Sequence, residues 1–166
     1  MKVAAGILLM MAAALLQVTW ASQLEIAGAF PNLVLIAVIG VTWTQGVRTG
    51  LLWACVGGIL LDLNAPGPLG PHAVALLAGT YTAGFWARNL DRDGFLHPMG
   101  AVACGTVLYS LVLISTDSVL GLPIPQLDTA LQLVVAACAV NAALTLPLLG
   151  VLRWVTSGLH WEPAAA

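Results

Sequence analysis

Long apolar runs alternate with short polar or Pro/Gly breaks along the whole chain. The runs are too long for strands and lack strict alternation, so the pattern predicts helices over about 3–20, 31–45, 49–63, 72–87, 98–116 and 129–154. The breaks hold turn formers: Pro31-Asn32, Gly46, Pro66-Gly67-Pro68-Leu69-Gly70-Pro71, Asp91-Arg92-Asp93-Gly94 and Gly121-Leu122-Pro123-Ile124-Pro125. The second and third helices are short. Two short spans are preferred over a re-entrant hairpin, because a hairpin would leave Arg48 in mid-membrane without a partner. Pro31 suits a first helical turn, where its missing N–H is not needed.

Composition sets the solvent. The 166 residues are 60% hydrophobic and 7% charged, against about 25% charged in soluble domains. The expectation is an all-α membrane protein, one compact bundle of six transmembrane helices within residues 1–160, with a short tail at 161–166. The first apolar run reads as a membrane helix rather than a cleaved leader. A net charge of −2 and the lack of a basic run exclude a nucleic-acid partner. Cys55, Cys104 and Cys138 lie inside apolar runs without CxxC spacing and read as packing residues.

Charge then sets orientation. With six spans, Lys2, Arg48, Arg88, Arg92 and Arg153 all fall on one side, whereas Glu25, Asp62, Asp117 and Asp128 fall on the other. The positive-inside rule makes both termini cytoplasmic. The six tryptophans read mainly as interface anchors, with Trp20 at an outer end and Trp43, Trp86 and Trp154 at inner ends.

Two features invite a functional reading. Gly46, Gly50, Ala54 and Gly58 form a stripe at four-residue spacing, repeated by Ala75, Gly79, Ala83 and Ala87. Such stripes let membrane helices approach closely, either inside the bundle or as a docking face for a partner helix. The second is Asp62, a lone carboxylate at the end of the third helix. A charge in lipid costs about 2.5–3.5 kcal/mol at mid-membrane on insertion scales and less near the interface, so something should hold it there. Its carboxylate is expected to accept hydrogen bonds from loop N–H groups such as those of Leu69 and Gly70, fixing the loop to the helix end. A ligand site and a solvated charge are the alternatives.

His72 and His97 lie on opposite sides and His160 in the tail, so no metal site is expected. No nucleophile motif, phosphate loop or dinucleotide fingerprint is present. Asn141 reads as an interhelical hydrogen bond. These readings predict no enzyme, no metal and no cofactor.

Pro31-Asn32-Leu33, then Gly50 and Gly57-Gly58-Ile59-Leu60-Leu61-Asp62-Leu63, then Gly67-Pro68-Leu69-Gly70 and His72-Ala73, resemble the rod shape-determining MreD family of bacteria. The specific match lies between about residues 31 and 84. Asn32 stands where that family often has an acid, and Pro71 departs from its loop. The resemblance implies a non-enzymatic inner-membrane scaffold of the elongation machinery that lays down side-wall peptidoglycan and so maintains cell shape. It implies an MreC-like single-span protein as direct partner, within a complex that includes MreB, RodA and a class-B penicillin-binding protein. Together with the small-residue stripe, it marks Pro31, Asn32, Gly50, Ala54, Gly58, Asp62, Pro68, Leu69, Gly70 and His72 as candidates for structural or partner-binding roles. The fold it implies is similar to the six-helix substrate-binding subunits of energy-coupling-factor vitamin transporters, which supply the rival function.

Overall fold

The computed structural model describes residues 2–20, 23, 28–89 and 96–158. Expectations for Glu25, the turn at 91–94, His160, Trp161 and the tail lie outside the described residues, as do those for the side chains of Lys2, Arg153 and Trp154. Six helices follow one another: α1 (Lys2–Thr19), α2 (Leu33–Gln45), α3 (Val47–Asn64), α4 (Pro71–Asn89), α5 (Leu96–Val119) and α6 (Leu127–Gly158). No strand occurs among the described residues. Three segments are long and apolar enough to cross a membrane: Val47–Asn64, His97–Val119 and Leu127–Gly150. Gly6–Thr19 and Leu33–Gln45 are shorter apolar helices.

The shortest helix is the hub. α2 touches all five others, which neighbour one another around it in the order α1, α3, α4, α5, α6. Every α2 residue from Val34 to Trp43 is buried. Its sequence explains this, since Leu33–Gln45 is apolar on all faces until its C-terminal turn, and such a helix belongs in an interior. Trp43 therefore corrects the interface-anchor expectation: at 3% exposure it is core. Trp20, 71% exposed, keeps an outward position, whereas Trp53 and Trp86 pack against the core.

Close approach sets the packing. A Cβ on Gly50 would collide with Thr42 of α2, and one on Gly58 would sit 2.8 Å from the backbone nitrogen of Ala73 in α4. Across the next interface, a Cβ on Gly79 would lie 2.8 Å from the Gly105 carbonyl oxygen. The stripe of Gly50, Ala54 and Gly58 is thus buried between α2, α3 and α4. This removes it as a docking face for another protein's helix, because those backbones are already in contact with their own neighbours.

Chain reversals are abrupt. α2 and α3 are separated by Gly46 alone, whose φ of +93° lies where side-chain-bearing residues are strained. Pro31 corrects a second expectation. It precedes α2 rather than occupying its first turn, because Asn32 takes the N-cap and its side chain accepts a hydrogen bond from the Leu35 N–H. At the opposite extreme, the last turns of α5 and the first turns of α6 are thinly covered. No residue from 110 to 139 is fully buried.

Candidate functional site

Asp62 sits in the last turn of α3, and α4 begins nine residues later at Pro71. The apolar spacing of α3 turns Asp62 inward along with Gly58, so the carboxylate faces the start of α4 with its side chain 1% exposed. The first N–H groups of any helix lack intrahelical acceptors. Asp62 supplies them from another helix. Its Oδ2 accepts from Gly70 N–H at 2.9 Å and from Ala73 N–H at 3.3 Å. Its Oδ1 accepts from His72 N–H at 3.0 Å and lies 3.0 Å from His72 Nδ1. Pro71 occupies the first helical position and needs no acceptor. The partial positive charge of the α4 N-terminus adds to the hold on the carboxylate.

The donors differ in part from those expected. Gly70 is one of them; His72 and Ala73 take the other places, and Leu69 points outward at 66% exposure. Gly70 is placed to donate by a φ of +125°, which is open to glycine and strained for other residues.

From His72 the polar contacts continue across the bundle. Its ring meets Tyr109 of α5 edge-on, with centroids 6.4 Å apart. The Tyr109 side chain lies beside that of Asn32, at the start of α2. Asn32 N–H donates to Asn141 Oδ1 of α6 at 2.8 Å, and Asn141 Nδ2 donates to Thr106 Oγ1 of α5 at 3.1 Å. Gln17 of α1 accepts from Val34 N–H at 3.0 Å. Asn32, Asn141 and Gln17 thereby satisfy three N–H groups at the start of α2 in an apolar setting, where an unpaired one is expensive.

The structure therefore brings Asn32, Asp62, Gly70 and His72 into one partly buried polar layer that touches α2 to α6. Gly50, Ala54 and Gly58 lie deeper along α3, and Pro31 is buried beside the layer. Pro68 belongs to the exposed loop, which lines a pocket of about 280 Å³ with Asp62, His72, Asp117 and Pro123. No group of three or more His, Cys, Asp or Glu side chains among the described residues is arranged to hold a metal ion.

Sequence reasoning missed Gln17, Thr106 and Tyr109. Thr106 and Tyr109 stand three apart on α5, hence on one face, and Gln17 interrupts an apolar helix. Those were the available clues; the partner of Gln17 lies 17 residues away and that of Thr106 35 residues away, each on another helix. Comparison with protein-family models, curated proteins and solved structures finds no match.

Proposed function

We propose that the chain is a non-enzymatic scaffold of the bacterial inner membrane, of the MreD type, that crosses the membrane six times with both termini cytoplasmic. In this reading it serves side-wall peptidoglycan synthesis by binding an MreC-like single-span protein, within a complex of MreB, RodA and a class-B penicillin-binding protein. One observation carries it. The two stretches that bear the resemblance, Gly58 to Leu63 and Gly67 to Ala73, are joined directly through Asp62 to Gly70, His72 and Ala73. A carboxylate with both oxygens committed to backbone donors works as a fixed joint, which is what a rigid docking platform needs. The small-residue stripe is used internally, so the partner's helix meets an outward-facing side of the bundle. α2 is about 20 Å long at 1.5 Å per residue, and it can be short because its start is capped by side chains of its neighbours rather than by water.

The rival, a vitamin-binding subunit, is favoured by the pocket beside Asp62, His72 and Asp117. Its volume of about 280 Å³ is close to the lower end of small-molecule sites, about 300 Å³. Gentle purification separates the two. The scaffold reading expects a single-span partner recovered at about one copy per chain. Recovery of a small molecule at one equivalent, with no single-span partner, overturns it.

A further inference from the structure

At the end of the bundle opposite the polar layer, the first turn of α3 packs against the last turns of α4. A Cβ on Gly84 would lie 2.5 Å from Val47, which fixes the two backbones at one level there. Arg48 follows Val47 directly, and Arg88 lies one turn beyond Gly84, in the last turn of α4. Both arginines are exposed, and neither meets a carboxylate or another hydrogen-bond acceptor among the described residues. The α3 start has no side-chain cap, so its first N–H groups also lack an acceptor there. Val47, Tyr81, Gly84, Phe85 and Arg88 line a notch of about 30 Å³ between the helices, room for one water-sized group. Tyr81 and Phe85, 67% and 58% exposed, run up the outside of α4 from Arg88 at helical spacing.

We propose that this notch is a binding site for one anionic phospholipid. The phosphate is held at Arg88 with one oxygen in the notch, Arg48 next to Val47 adds positive charge from the α3 start, and an acyl chain lies along Phe85 and Tyr81. Guanidinium groups bind phosphate by paired hydrogen bonds, and the uncapped helix start adds N–H donors and positive potential. The exposed aromatic rail beside the charges selects a phosphate that carries a hydrocarbon chain over free phosphate. The site rests on the chain being membrane-embedded, not on its having an MreC-like partner.

The test uses the full chain, delipidated in neutral detergent and titrated with phosphatidylglycerol, phosphatidylcholine or inorganic phosphate. Retained lipid is read by native mass spectrometry, and folding by thermal melting without lipid. Each Arg near a phosphate layer contributes about 1 kcal/mol, so the wild type should retain phosphatidylglycerol about tenfold or more over phosphatidylcholine. The Arg48→Gln, Arg88→Gln double variant should melt like the wild type yet lose that preference. Arg88→Lys, which keeps charge without the fork, should fall between them. Equal retention of the two lipids by the wild type overturns the proposal, as does undiminished preference in the double variant. Stabilisation by inorganic phosphate equal to that by phosphatidylglycerol would overturn the lipid assignment. A preference that emerges only after Asp91→Asn and Asp93→Asn replacement would show that those carboxylates hold the arginines, and would overturn it too.

Discussion

Replacing Asp62 tests the joint most directly. Asp62→Ala strips the acceptor from the N–H groups of Gly70, His72 and Ala73. A buried donor left unpaired costs about 1–3 kcal/mol. The loop at Pro66 to Leu69 is largely exposed, so water can reach part of the vacated site, and the lower end of that range applies. Three donors at about 1 kcal/mol each give about 3 kcal/mol. At about 2–4 °C per kcal/mol for a chain of this size, Tm should fall by about 6–12 °C. Asp62→Asn keeps one oxygen but turns an amide NH2 toward N–H donors, so its loss should be intermediate, about 2 kcal/mol. The assay is thermal melting of each purified variant in the same detergent. The reasoning also demands a local signature: a cysteine at position 69 should label faster in Asp62→Ala than in the parent background. Melts of both variants within about 2 °C of the wild type, with unchanged labelling, would refute the clamp.

Four further outcomes follow from the same geometry. Asn141→Leu leaves the Asn32 N–H unpaired and should cost about 2–3 kcal/mol, and adding Thr106→Val should cost less than the sum of the single changes, as a double-mutant melting cycle would show. Gly58→Ala drives a methyl into the backbone of Ala73 and should cost about 1–3 kcal/mol, whereas Gly67→Ala, with open space around it, should leave Tm within about 2 °C. Gly70→Ala should cost about 1–2 kcal/mol through φ strain alone, seen as a lower Tm with wild-type lipid retention. Thr80 has a buried hydroxyl with no partner among the described residues, so Thr80→Val should hold or raise Tm; a drop of more than about 3 °C would contradict that account.

The helical order was legible because lipid-compatible runs are long and their interruptions are Pro, Gly and charge. Asp62 was legible for a related reason: a lone carboxylate in an apolar helix has to be met by donors, and the nearest ones in sequence are in the following loop. Trp43 and the small-residue stripe were harder. Position along a helix places a residue at an end of the bundle, but which way it faces depends on neighbours that the sequence does not order. With α2 at the centre, Trp43 has no lipid to face, and Gly50 and Gly58 have helices on both sides. Pro31 was misplaced by two residues, since a Pro before an Asn can precede a cap as well as open a helix. Asn141 was legible as an interhelical hydrogen bond, but its links to Asn32 and Thr106 were not, because each is a modest polar residue until three helices bring them together.

The unequal lengths of the outer helices have a consequence for the surrounding bilayer. α4, with 19 residues, is about 28 Å long, whereas α6, with 32, is about 48 Å at 1.5 Å per residue. A hydrocarbon layer is about 30 Å thick. The apolar segment of α6, Leu127–Gly150, is 24 residues or about 36 Å, so in a membrane it would exceed ordinary lipid by about 6 Å and tilt, or draw thicker lipid around it. Each ångström of mismatch costs a fraction of a kcal/mol. With α6 in a membrane as proposed, lipid along that flank would be thicker than elsewhere, and long helices of other proteins would be favoured there before any side chain touches.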